Sequence, residues 1–233
     1  MQNGKLYLIP IVLAENAIHT IPAFTKEIIE NTNFYIVENL KTARRFIKSI
    51  YKEKNIDECT FLELDKHSNY KFDENFLNEV FNGNNIGLMS EAGTPCIADP
   101  GNKVVEVAHE LEIEVVPLSG PSSILLALMA SGFNGQQFTF NGYLPIEARE
   151  RKDKMLQMES YAKKYSTQIF MDTPYRNQRL LEDLILTLKF DTMLCIACNI
   201  TAKDEIIKTL PMAEWKKRKI DLNKKPAIFI LGK

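Results

Sequence analysis

The chain has 233 residues, enough for one large domain or two small ones. Its 45% hydrophobic and 25% charged residues read as a packed globular protein rather than a disordered one. A net charge of −1 excludes a global electrostatic pull toward nucleic acid or membrane and leaves only local basic patches for that purpose.

Residues 5–13, KLYLIPIVL, read as a buried first strand. The start of the chain lacks a small-residue cleavage site, so no signal peptide is expected. No apolar run approaches the roughly 20 residues of a membrane span, and no membrane partner is expected. Residues 21–32 have helical spacing, with Pro22 tolerable in the first turn. Residues 33–39 read as a second strand and 40–51 as a helix with Leu40, Ala43, Phe46, Ile47 and Ile50 on one face. Residues 59–65 read as a third strand. A helix is predicted over 73–84, from the acidic cap Asp73 to Gly83. Residues 85–90 (strand), 101–112 (helix) and 113–118 (strand) complete an alternation that argues for a largely parallel sheet with helices on both faces.

The second half opens with SGPSSILLALMASGF, where Pro121 presets a helix start. Residues 137–145, 166–174, 192–200 and 225–233 read as strands. Residues 148–165 and 176–188 read as helices, and 209–221 as a turn that becomes helical. There is no repeat and no low-complexity linker, so two closely joined α/β domains are expected, 1–117 and 118–233.

The four cysteines, Cys59, Cys96, Cys195 and Cys198, are sparse, which suits a reducing cytoplasm. Cys195 and Cys198 form a CxxC within a strand-like run. Residues three apart on a strand point to opposite faces, and no second pair completes four ligands. His19, His67 and His109 lie apart from one another, so no metal is expected.

The richest chemistry lies in MSEAGTPCIADPG, residues 89–101. Ligands of open parallel sheets bind beyond the carboxyl ends of strands, where this loop falls. Gly93 lets a ligand approach the backbone, while Pro95 and Pro100 stiffen the loop. Thr94 and Asp99 offer polar groups. The glycines match neither the dinucleotide fingerprint nor a Gly-Lys-Ser/Thr phosphate loop, so a nucleotide, a phosphate, a polar metabolite or a purely structural turn all remain open.

The stretch SEAGTPCIADPG resembles the S-D-A-G-T-P-x-I-S-D-P-G signature of the tetrapyrrole-methylase-like, class III S-adenosylmethionine-dependent methyltransferases. VVPLSGPSSILLALMASG resembles V-x-P-L-P-G-P-S-A and its small-residue helix. FTFNGYLP resembles F-x-F-x-G-F-L-P, IFMDTPYR resembles I-F-Y-E-S-P-H-R, and DKHSN echoes Y-H-E-H-N. These motifs most resemble those of the branch that methylates a cytidine ribose 2′-hydroxyl in 16S ribosomal RNA. The resemblance implies two α/β domains with the cofactor in a cleft between them. It implies that Gly93, Thr94 and Ile97 border S-adenosylmethionine, that Ser122 and Ser123 hydrogen-bond to it, and that Leu13 lines its methionine side. Met171, Cys198 and Ala227 would enclose the adenine. A homodimer is implied as well.

Departures cluster on the acceptor side. P-T-P-I-G-N-L has become Ile9-Pro10-Ile11-Val12-Leu13-Ala14-Glu15-Asn16, and E-D-T-R has become Glu38-Asn39-Leu40-Lys41. Glu38, His67 and Asp172 are candidate bases by placement alone. Lys41 to Arg45 and Trp215 to Lys225 are basic runs compatible with ribosomal RNA or the small ribosomal subunit, and equally with a solvated face. The expected activity is methyl transfer to RNA. The alternatives are a small-molecule acceptor such as a tetrapyrrole, or a cofactor-binding protein without catalysis.

Overall fold

The computed structural model describes residues 3–64 and 72–233. The chain divides into two compact units, Met1–Ser122 and Ser123–Lys233. Each has its own five-stranded sheet.

In the first unit the strands are β1 (Leu6–Leu8), β2 (Phe34–Val37), β3 (Thr60–Glu63), β4 (Ile86–Met89) and β5 (Val115–Pro117). Their order is β3-β2-β4-β1-β5, and every pairing is parallel. Side chains alternate between two cores. Tyr35 and Val37 face one together with Ile29 of α1 (Phe24–Glu30) and Phe46 and Ile47 of α2 (Leu40–Ile50). Ile36 faces the other with Val104 and Ala108 of α3 (Asn102–Glu110). This two-sided burial is what the apolar strands and intervening helical segments require. Asn39 starts α2 by accepting the Thr42 N–H at 2.9 Å through its side chain.

The expected strand over 5–13 ends at Leu8, because Pro10 has no N–H to give the ladder. The expected helix over 73–84 is instead a short 3-10 segment, Glu74–Val80. Asp73 caps its start as expected, accepting the Asn75 N–H at 3.1 Å.

The second unit contains α4 (Ser123–Ser131), β6 (Phe138–Tyr143), α5 (Ala148–Lys164), β7 (Thr167–Met171) and α6 (Asn177–Thr187). Then follow β8 (Met193–Cys198), β9 (Ile206–Pro211), α7 (Met212–Trp215) and β10 (Ala227–Gly232). The order is β6-β7-β10-β8-β9, with β6 parallel to β7 and all other pairs antiparallel. The region expected to turn and become helical from 209 begins with the last three residues of the edge strand β9, and its helix is only the four-residue α7, followed by a loop. One core lies between the sheet and α5, α6 and α7.

Trp215 anchors α7 to that core. It is 2% exposed and its indole N–H donates to the Leu194 carbonyl at 2.9 Å. Trp215→Ala therefore removes a large buried ring and one buried hydrogen bond. The expected loss is about 3–5 kcal/mol, read as a lowered chemical-denaturation midpoint by circular dichroism.

Candidate functional site

β4 is buried at all four residues, so the loop leaving it starts from a fixed edge. That loop folds back onto the chain leaving β1. The Ile11 N–H donates to the Gly93 carbonyl at 2.9 Å, forming an isolated antiparallel bridge. Gly93 sits at φ +73°, where a side chain is strained. A Cβ there would come 3.0 Å from Leu13 Cδ2 and 3.2 Å from the Pro121 carbonyl oxygen. The sequence-predicted residues Leu13 and Gly93 are thus neighbours. The segment leading to Ser122 reaches them through Pro121, and Ser123 opens α4. Thr94 is half-buried and Ile97 is 52% exposed.

Gly120 makes a second close approach. A Cβ on it would stand 2.2 Å from Pro10 Cγ, so the chain after β5 lies directly on the chain after β1. Nothing in the linear sequence announces this pair, because the two residues meet only through strand order.

Two carboxylates hold the loop. Glu38, at the end of β2, accepts the Glu91 N–H at 3.0 Å. Asp99 accepts the N–H groups of Cys96 at 3.0 Å and Gly101 at 2.7 Å through one oxygen. These bonds support left-handed backbone at Cys96 (φ 69°) and Ala98 (φ 63°). The other Asp99 oxygen is buried without a hydrogen-bond partner among the described residues. Burial pushes the Asp99 carboxyl above the ordinary 3.8, with a contribution from Glu38, while the backbone N–H groups oppose it. Burial likewise pushes the Cys96 thiol up to about 12.

Next to this loop the first unit has a groove of about 620 Å³. Its apolar side includes Val12, Leu13, Ile18 and Phe46. Its polar side includes Thr42, Arg45 and Ser49, which recur at helical spacing on α2, together with Glu15 and Glu91. Arg45 and Glu15 approach to 3.7 Å while both remain largely exposed, so the pair adds little stability. The sequence reading noticed Arg45 and Glu15 separately and missed the groove. The spacing of Thr42, Arg45 and Ser49 was the available signal.

In the second unit, Met171, Cys198 and Ala227 occupy adjacent strands. Ala227 is opposite Cys198, and Ile228 is opposite Met171. Opposite residues share a face, so Cys198 and Ala227 turn into the core with α5 and α6 while Met171 faces the other way. A ligand at this end would meet all three only with help from backbone. Cys195 and Cys198 are both buried and free. Asp172 is buried. Its carboxylate accepts the Thr173 N–H at 2.8 Å and pairs with Arg176 at 3.0 Å. His67 lies outside the described residues.

The sign of the Asp99 shift has a measurable consequence. A carboxyl raised in the fold is fully tolerated when protonated in both states, and its contribution to stability falls as pH rises from 3.8 through the folded value. The stability of Asp99→Asn relative to wild type is expected to shift in the variant's favour from about pH 4 upward. Asp99→Ala, which loses both backbone bonds, is expected to cost about 2 kcal/mol. Denaturant midpoints of the three proteins across pH test both.

The model of the family described as Tetrapyrrole (Corrin/Porphyrin) Methylases matches residues 28–215. The chain is 32% identical over 233 residues to ribosomal RNA small subunit methyltransferase I of Buchnera aphidicola subsp. Schizaphis graminum, covering 99% of this chain and 78% of that protein. It is 30% identical over 209 residues to the protein of that name from Vibrio cholerae, covering 90% and 69%. Among solved structures, the methyltransferase CobJ superposes with a TM-score of 0.63 at 13% identity, covering 98% of this chain and 94% of that one. The uroporphyrin-III-C-methyltransferase from Thermus thermophilus gives 0.58 at 12%, with the same coverage. These distant structures share the fold. The match over residues 28–215, most of the chain, places it in the tetrapyrrole methylase family.

Proposed function

We propose that the protein is an S-adenosylmethionine-dependent methyltransferase acting on ribosomal RNA of the small subunit, at a ribose 2′-hydroxyl. The observation that carries the reading is the Gly93 loop. Its left-handed glycine lets Leu13 and the Pro121 carbonyl lie close against the loop backbone, at positions that a Cβ would crowd. The relatives named as ribosomal RNA small subunit methyltransferase I support RNA as the acceptor.

When bound, S-adenosylmethionine supplies a methyl group already activated by its sulfonium. Displacement then asks the protein mainly for alignment and exclusion of water. Gly93, Thr94 and Ile97 form the wall of the cofactor site, with Leu13 on its methionine side and Ser122 and Ser123 as hydrogen-bonding groups. Met171, Cys198 and Ala227 are the adenine-side set in the second unit. Glu38 acts as a positioning residue that fixes Glu91. The groove beside the loop receives the acceptor, since Leu13 borders both. Asp172 is engaged by Arg176 and Thr173 and is assigned to holding its own turn. The reading includes a homodimer in the cytoplasm. Among the described residues, no helix is long and apolar enough to cross a membrane.

Calorimetric titration tests the cofactor site. Wild type is expected to bind S-adenosylmethionine and S-adenosylhomocysteine saturably, and Thr94→Arg to bind at least about tenfold more weakly. No binding to folded wild type would remove the basis of the reading. Ser49→Trp, on the exposed side of α2, fills the groove. It is expected to lower transfer of labelled methyl to 16S ribosomal RNA by about tenfold or more while leaving cofactor affinity unchanged. Transfer to a porphyrin precursor and none to RNA would replace the acceptor with a tetrapyrrole.

A further inference from the structure

We infer that the basic loop after α7 and the exposed ring of Tyr175 form one docking surface for single-stranded RNA, separate from the groove beside Gly93. The inference rests on the reading of the chain as an RNA methyltransferase and deepens it by naming where the strand is held. Residues 216–221 leave the buried Trp215 and return to the buried Leu222, so the loop between them is pinned at both ends. Its cations Lys216, Lys217, Arg218 and Lys219 are all exposed, as is Lys224 just beyond. Lys217 pairs with Glu214 at 2.7 Å and Lys225 with Asp221 at 3.4 Å. Lys216, Arg218, Lys219 and Lys224 are not ion-paired with any carboxylate among the described residues.

Three hydrogen bonds join the segment that follows this loop, residues 222–225, to the turn that carries Tyr175 and to the start of α6. The Lys224 N–H donates to the Pro174 carbonyl at 3.0 Å. The Asn177 side-chain amide donates to the Lys225 carbonyl at 2.7 Å. The Leu222 N–H donates to the Gln178 side-chain oxygen at 3.0 Å. The turn is itself rigid, because the Arg176 N–H donates to the Thr173 carbonyl at 2.8 Å and Arg176 pairs with the buried Asp172. Tyr175 stands on it with 75% of its surface exposed.

A large ring held out in water, with the unpaired Lys224 bonded to its turn and further unpaired cations on the preceding loop, matches what an unpaired nucleotide strand offers. Phosphates meet the cations, and a base stacks on the ring. A duplex hides its bases and would leave the ring unused.

Fluorescence anisotropy with a labelled unstructured oligouridine of about 12 nucleotides tests the surface. The triple variant K216E/R218E/K219E is expected to bind at least about tenfold more weakly. Its slope of log K against log salt should be smaller by about 2, since each single-strand phosphate contact contributes about 0.7. Tyr175→Ala is expected to bind about tenfold more weakly with the slope unchanged, and Tyr175→Phe to bind as wild type does. Circular dichroism melting checks that each variant is folded. Unchanged RNA binding by the triple variant or by Tyr175→Ala overturns the surface. If wild type still transfers methyl groups to 16S ribosomal RNA, the proposed function survives that result. If wild type neither binds the oligonucleotide nor methylates ribosomal RNA, both fall together.

Discussion

The bridge between Ile11 and Gly93 is the constraint from which the first unit's site follows. A loop of two prolines and several small residues has little side-chain mass to pack, so it needs a backbone attachment to stay in place. The single N–H to carbonyl bond at 2.9 Å supplies one, and it exists only because residue 93 can adopt φ +73°. From there the other contacts become possible: Leu13 against Gly93, the Pro121 carbonyl above it, and Glu38 holding Glu91 from the neighbouring strand. Asp99 closes the far end by collecting two N–H groups. Its second oxygen stays buried without a hydrogen-bond partner among the described residues, in keeping with the burial that raises its pKa.

The alternating strands and helices of the first half were legible because both faces of a parallel sheet are buried. Leu6, Ile36 and Ile86 face one core while Tyr35 and Val37 face the other, leaving near-continuous apolar runs in the sequence. The antiparallel character of β8, β9 and β10 was not legible, since strand direction is decided by which neighbours meet. β9 itself escaped notice for a local reason. Its residues Ile206 to Pro211 are only partly covered, Ile206 is 39% exposed, and Pro211 looks like punctuation. Edge strands carry a weak pattern because one side has no partner.

The site divides along the same line. Leu13, Gly93 and Thr94 could be named from motif residues, and the fold puts Leu13 and Gly93 in contact. Gly120 on Pro10, and the alignment of Thr42, Arg45 and Ser49 along a groove, depend on chain segments far apart in sequence. Met171, Cys198 and Ala227 illustrate a subtler gap. A motif can state that three residues are near one another, but only strand register tells which way each side chain turns.

The placement of β1 in its sheet also sets a timetable for synthesis. β1 precedes the other four strands of its sheet in the chain, yet it lies between β4 and β5. Leu6 must wait for Ile86 on one side and Val115 on the other, and the Lys5–Glu114 pair at 2.6 Å spans 109 residues. Until the ribosome has released that stretch, an apolar strand has no lasting neighbours and a loop entropy still to be overcome. The first unit therefore reaches its final sheet late, when its last strand arrives. An emerging chain with exposed β1 is the form most open to chaperones and to mispairing.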